Sequence, residues 1–166
     1  MRHMMKLTVM GIAPLVLANF YMGFEIYCIS GHISAWASNH GEEMMLCYDM
    51  FCRGIRWVLL TLWGYMAYRL ADPRKNIWGQ AAALCAVGGV LVAVGSWQET
   101  TGNFSALYGY GLLDYFMFAP KLGGALLRPL LGKPHIFSRE LAVDLCLLFA
   151  VAVAGCGWKR RKGAEK

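Results

Sequence analysis

Six charged side chains lie inside or directly beside the apolar runs of this sequence. They are Glu25, Asp49, Arg53, Arg56, Glu99 and Asp144. A charge at membrane depth is costly, so such residues usually face one another, a cavity or a partner. We predict that they form an ion-pair cluster near the outer ends of a set of helices. This cluster either holds the helices together or forms a recognition or transport site.

Three of the six charges fall on one side of a single predicted helix. Asp49, Arg53 and Arg56 are separated by four and then three residues, and these spacings return to the same helical face. Glu25 and Asp144, on other helices, are the expected partners of this face. The arrangement predicts charge pairing between helices rather than along one helix.

The chain has six cysteines, and three of them precede or enter the second apolar run. Cys47 and Cys52 are five residues apart, too far along a straight helix for a disulfide, whereas Cys28 and Cys47 form a geometrically freer pair. We expect a structural disulfide or none here, rather than redox catalysis. The remaining three, Cys85, Cys146 and Cys156, lie inside apolar runs and are predicted to be small core residues.

Complete catalytic or metal-binding patterns are missing from the sequence. The histidines His3, His32, His40 and His135 fall in predicted loops or at the N-terminus, so they do not provide haem ligands within a bundle. Tetrahedral zinc spacings, a Gly-x-Ser-x-Gly elbow and phosphate-binding glycine loops are also missing. We therefore predict no catalytic residue, no metal and no cofactor.

The elements that must position these side chains are long apolar helices. Hydrophobic residues make up 58% of the 166 residues and charged residues only 16%, against about 25% charged in soluble domains. Four runs approach the roughly 20 residues that a membrane-spanning helix needs: residues 7–30, 50–70, 77–97 and 140–158. The first is predicted to be a retained signal-anchor helix, since it is longer than a signal core and lacks a clear cleavage site.

Basic residues define the predicted topology. Arg2 and Lys6 precede the first run, Arg69, Arg74 and Lys75 lie between the second and third, and residues 159–162 follow the fourth. Four spans place all three clusters on one side, which the positive-inside rule makes the cytoplasm. The sequence thus predicts an all-α, antiparallel four-helix bundle in a bacterial inner membrane, with both termini cytoplasmic. The net charge of +6 is explained by this topology and by contact with membrane lipid, not by nucleic-acid binding.

Several further segments complete the predicted organisation. Residues 107–120, within the long second external segment 98–139, are too short for a fifth span and predict an interfacial or re-entrant helix. Asp72-Pro73 in the turn 71–76 predicts a helical hairpin. The transmembrane domain is assigned to residues 1–158 and a disordered basic tail to 159–166. The third run is rich in alanine and glycine, which predicts tight internal packing or a homodimer face.

Two short motifs carry a resemblance to a known family. Gly11-Ile12-Ala13-Pro14-Leu15-Val16 in the first run and Asp49-Met50-Phe51-Cys52-Arg53 entering the second are similar to segments of the inner-membrane immunity proteins against pore-forming colicins of the A and B type. That family also has a similar length, four spans and cytoplasmic ends, whereas the long second external segment departs from it. The resemblance implies a protein that binds a toxin hairpin within the bilayer, with specificity from Asp49, Arg53, Arg56 and Glu99.

A second resemblance concerns topology. The bacterial disulfide-bond-forming thiol:quinone oxidoreductases have four spans, a long second periplasmic loop and an arginine four residues after a cysteine, as at Cys52 and Arg56. Their first cysteine pair is Cys-x-x-Cys, and their second lies in the long loop, where residues 98–139 contain no cysteine. A third alternative is a small accessory subunit of a larger membrane complex or transporter. A binding protein, with toxin immunity as its specific form, is the function that the sequence favours.

Overall fold

The computed structural model describes residues 2–24, 42–101 and 137–164. Within these ranges, the side chains of residues 18–19, 21–24, 42–49, 51–53, 99, 137–140 and 164 are not described. The described chain is helical, without a strand. Its helices are α1 (Arg2–Met10), α2 (Ala13–Phe24), α3 (Glu42–Leu70), α4 (Ile77–Thr101) and α5 (Phe137–Ala164). The predicted helix in residues 107–120 lies outside these ranges.

The first apolar run is not one continuous helix, so that prediction is wrong for residues 7–24. A turn at Gly11 and Ile12 separates α1 from α2. Pro14 has no amide hydrogen for the helical bond to the carbonyl four residues earlier, and the chain instead forms tighter bonds such as Leu15 N–H to Ile12 O at 3.0 Å. A side chain at Gly11 would overlap the backbone carbonyl of Leu84, so glycine allows α1 to meet α4 closely.

The predicted helix stop and restart is present: a turn at Asp72-Pro73 separates α3 from α4, although α3 packs chiefly on α5, and α4 on α5 and α1. Asp72 Oδ1 accepts a hydrogen bond from Arg74 N–H at 3.0 Å, and Asn76 Oδ1 accepts one from Trp78 N–H at 3.1 Å. Asn76 is therefore the N-cap of α4, because its side chain satisfies an amide that has no partner in the first helical turn. The Arg74 amide also lowers the pKa of the Asp72 carboxyl below its usual 3.8, which keeps Asp72 ionised.

The basic tail is helical through Ala164, which corrects the prediction of disorder for residues 159–164. Lysine and arginine are good helix formers, and their charges are favourable at the C-terminal end of a helix. Lys159 Nζ also donates a hydrogen bond to Arg69 O at 2.8 Å. The tail is thus the last part of α5 and is attached to the end of α3.

The helices pack so that α4 contacts both α1 and α5, while α3 contacts α5. Helices α1 and α4 run in the same direction, with His3 beside Gln80 and Gly11 beside Leu84. The C-terminus of α5 returns to the α3–α4 turn, since a Cβ at Gly163 would lie 3.4 Å from Pro73 Cβ. We call this the turn end of the bundle, and the opposite end, where α4 finishes and α5 begins, the far end.

All three basic clusters belong to the turn end. Arg2 adjoins His3, Arg74 and Lys75 lie in the turn itself, and residues 159–162 complete α5. The core between the helices is apolar. Its buried members are Leu7, Leu60, Trp63, Ala67, Ala71, Ala81, Leu84, Cys85, Leu91, Leu141, Leu148, Ala152 and Cys156.

Two described helical segments, Ile77–Gln98 and Leu141–Gly163, are long and apolar enough to cross a membrane. Only 39% and 28% of their most apolar stretches, respectively, are buried inside the protein. Large apolar side chains are exposed on this segment of α4, such as Val90 and Trp97, and also elsewhere, among them Val9, Phe20, Trp57 and Val58. Both helices thus present apolar surface outward as well as inward.

Candidate functional site

The predicted ion-pair cluster falls partly within the described side chains. Asp144 is 4% exposed on α5, and Arg56 is half-buried on α3. Asp49 and Arg53 belong to α3 and Glu99 to α4, but their side chains are among those not described, and Glu25 lies outside the described residues. The cluster therefore remains a prediction, with one buried member at the start of α5.

Gln98 is a second buried polar residue at the far end. It is 3% exposed, and within the described part of the chain its side-chain oxygen Oε1 has no hydrogen-bond partner. Because α5 runs back toward the turn, Gln98 near the end of α4 and Asp144 near the start of α5 belong to the same end. Sequence reasoning selected the neighbouring Glu99 and missed Gln98, whose signal was a polar amide at the end of an apolar run.

The cysteines separate into two groups. Cys85 and Cys156 are buried, as predicted, but Cys146 is exposed, so the prediction of a core position is wrong for Cys146. Cys47 and Cys52 belong to α3 without described side chains, and Cys28 lies outside the described residues, so the disulfide remains a prediction. In the described part of the chain, no group of histidine, cysteine and acidic residues could hold a metal ion.

The turn end contains a fully bonded polar network centred on Gln80, which is 1% exposed. Its Oε1 accepts a hydrogen bond from Asp72 N–H at 2.7 Å and lies 3.1 Å from His3 Nε2. Its amide nitrogen donates to Asp72 O at 3.0 Å and lies within 3.4 Å of the Lys75 and Asn76 carbonyls. One side chain thus fastens the α3–α4 turn and meets α1. Sequence reasoning missed it because an isolated glutamine has no local pattern.

Helices α3 and α5 cross at a pair of glycines. A Cβ at Gly155 would overlap Gly64 O, and one at Gly64 would lie 2.9 Å from a Val151 methyl. Near this contact, the buried Trp63 Nε1–H donates to Leu148 O at 2.9 Å. The sequence predicted close packing through the small residues of α4, whereas this close crossing uses glycines of α3 and α5.

An open groove of about 440 Å³ lies beside this crossing. Its residues are Thr61, Gly64, Tyr65 and Tyr68 from α3, and Val151, Ala154, Gly155, Trp158 and Lys162 from α5. We call it the α3–α5 groove. A second apolar groove of about 340 Å³ lies between the α1–α2 break and α3. Both grooves open at the surface of the bundle rather than within its core.

The α3–α5 groove has aromatic walls and a basic end. Tyr65 and Tyr68 stack with ring centroids 6.3 Å apart. Lys162 Nζ lies 5.9 Å from the Trp158 ring centroid, and Lys159 Nζ lies 6.0 Å from that of Tyr68. These distances are within the range of cation–π attraction. The cations are thereby held beside the aromatic walls at the turn end.

Comparison with known proteins finds no matching family model, no matching curated protein and no matching solved structure. Two regions stand out: the buried polar pair at the far end and the α3–α5 groove at the turn end.

Proposed function

We propose that this chain is a four-span protein of the bacterial inner membrane, with both termini in the cytoplasm. The exposed apolar surface of α4 and α5 supports this proposal, because a core helix of a soluble protein would be mostly buried. In a bilayer the same surface faces lipid and needs no further cover. The grouping of the basic clusters at the turn end supports a cytoplasmic position for that end.

We propose further that the protein binds a membrane-inserted partner at its far end. The observation that carries this proposal is the presence of two buried polar residues there, Gln98 and Asp144, on the two described helices that are long and apolar enough to cross a membrane. A buried acceptor without a hydrogen bond costs about 1–3 kcal/mol. Polar groups at such depth in a membrane helix are usually kept for function.

The specific form of this function is immunity to a pore-forming toxin. In this mechanism the toxin's hydrophobic hairpin enters the bilayer from the periplasm and meets the far end laterally. Gln98 Oε1 accepts a hydrogen bond from the correct hairpin, and the binding stops the channel from opening. A wrong hairpin leaves this oxygen as it is in the unbound protein, so specificity comes from the hydrogen bond that only the correct hairpin makes.

Topology is tested first, with single-cysteine labelling in intact cells on a background in which the other cysteines are replaced. A membrane-impermeant maleimide should not label a cysteine at position 164 or 74 from outside. Labelling of either position in intact cells, or release of the protein from membranes by alkaline carbonate, would overturn the membrane proposal.

Function is tested by survival. Cells that express the chain are challenged with pore-forming colicins of the A and B type, one toxin at a time. We expect protection against one toxin, with at least a tenfold loss of protection in Gln98→Leu and Asp144→Asn at equal membrane abundance. Cys146→Ser, an exposed change on α5, is the matched control and should protect as the wild type does. Failure to protect against any toxin, together with stoichiometric recovery of a larger transporter subunit, would favour the accessory role instead.

A further inference from the structure

The α3–α5 groove is polarised along its length. Gly64 and Gly155 bring the two helix backbones together at its floor, and Tyr65 and Trp158 form aromatic walls. Its turn end is closed by Lys162, an exposed cation held over the Trp158 ring. The groove thus offers an apolar channel that finishes at a positive charge.

Positive charge around this end exceeds the negative charge among the described residues. Lys159 and Lys162 lie beside Tyr68 and Trp158, respectively, and Arg69 finishes α3. Asp72 is the acidic residue that the structure describes at this end, and it lies 3.7 Å from Lys75. The groove's own cations therefore have no carboxylate partner within the described part of the chain.

From this charge and shape we infer that the α3–α5 groove binds one anionic phospholipid of the inner leaflet. The acyl chain lies along the apolar channel, and the phosphate is held by Lys162, with Lys159 nearby. Basic pockets between membrane helices on the cytoplasmic side are known to hold anionic headgroups. Tyrosine and tryptophan side chains are favoured at the depth where headgroup and acyl chain meet. This inference depends on the membrane placement proposed above, but not on the toxin function.

Native mass spectrometry of the full chain, released from nanodiscs, measures the retained lipid. Nanodiscs of phosphatidylglycerol are compared with nanodiscs of phosphatidylcholine. We expect one retained phosphatidylglycerol and weaker retention of phosphatidylcholine. Lys162→Gln should lower phosphatidylglycerol affinity about fivefold, the effect of one basic residue at an anionic surface. Arg160→Gln removes the same charge from an exposed position outside the groove and should have little effect.

A second pair of variants tests the channel itself. Ala154→Phe fills the groove from an exposed position on α5 and should remove the retained lipid. Ala82→Phe makes the same change on the exposed side of α4 and should leave lipid retention unchanged.

Three results would overturn the inference: equal losses in Lys162→Gln and Arg160→Gln, equal retention of the two lipids, or normal retention in Ala154→Phe. The lipid measurement and the toxin challenge fail independently. If the chain retains phosphatidylglycerol but does not protect cells, the toxin function is contradicted and the lipid inference is not. Release of the protein from membranes by alkaline carbonate would contradict the membrane placement, on which both proposals depend.

Discussion

Two glutamines of the same helix show how differently the two ends of the bundle are built. Gln80 and Gln98 both lie on α4 and are 1% and 3% exposed, respectively. The oxygen of Gln80 accepts a bond from Asp72 N–H at 2.7 Å, whereas the oxygen of Gln98 has no hydrogen-bond partner among the residues that the structure describes. The same residue type therefore stabilises the turn end and destabilises the far end.

The difference follows from the asymmetry of hydrogen-bond energetics. A satisfied bond contributes about 1 kcal/mol, while a buried group left without a partner costs about 1–3 kcal/mol. At the turn end, the side-chain amide of Gln80 makes the hydrogen bonds that water would otherwise make to the backbone of the α3–α4 turn. At the far end, the described part of the chain offers Gln98 Oε1 no such partner. Two equally buried glutamines can therefore contribute to stability with opposite signs.

The largest effect is expected from Gln80→Leu. This change leaves backbone groups of Asp72 and the turn without their side-chain partner and should lower the free energy of unfolding by about 2–4 kcal/mol. Thermal unfolding in mild detergent measures the loss. Ala82→Leu, on the exposed side of the same helix, is the control. If Gln80→Leu were as stable as the wild type, water would satisfy the backbone groups of the turn as well as the Gln80 side chain does.

Close packing near the turn end is tested by a matched glycine pair. Gly155→Ala puts a methyl group against Gly64 O and should cost about 1–3 kcal/mol, as overpacking usually does. A Cβ at Gly157 would meet nothing within 4 Å, so Gly157→Ala should be neutral or slightly stabilising. Chemical unfolding of both variants in one detergent gives the difference. Equal stabilities would show that the α3–α5 crossing can relax at no cost.

Gln98→Leu should have the opposite sign to Gln80→Leu. Removing a buried oxygen that has no hydrogen-bond partner among the described residues is expected to raise the free energy of unfolding by about 1 kcal/mol. Protection against the toxin should fall in the same variant, so stability and function would change in opposite directions. The same thermal measurement decides the sign. A destabilised Gln98→Leu would end the contrast between the two glutamines, because it would indicate a stabilising bond to Oε1.

The smallest effect concerns Asp72 and pH. The Arg74 amide lowers the pKa of the folded carboxyl below 3.8, so the ionised form favours the folded state. This stabilisation is present above the unfolded pKa and is lost as pH falls through the lower folded value. Between about pH 5 and about pH 3, the unfolding temperature of the wild type should therefore fall slightly more than that of Asp72→Asn. Parallel pH profiles for the two proteins would refute this.

Local sequence signals were sufficient for the helices and for one turn. The apolar runs set the type of element, and Asp72-Pro73 set the turn between α3 and α4, because hydrophobicity and proline act over a few neighbouring residues. Some errors were also local: Pro14 marks the break between α1 and α2, and the basic residues 159–162 are good helix formers. The error at Cys146 was not local, because the exposure of this residue depends on which side of α5 packs inward.

The amino-acid sequence by itself determined an all-helical chain with two helices apolar enough for a membrane and basic residues grouped at their ends. Only the tertiary structure decided that the Gln80 side chain is hydrogen-bonded, that Gln98 Oε1 lacks a partner within the described ranges, and that Gly64 meets Gly155. The reason is physical: hydrophobic periodicity and capping act within a helix, whereas a hydrogen bond or a close crossing depends on which faces of separate helices meet.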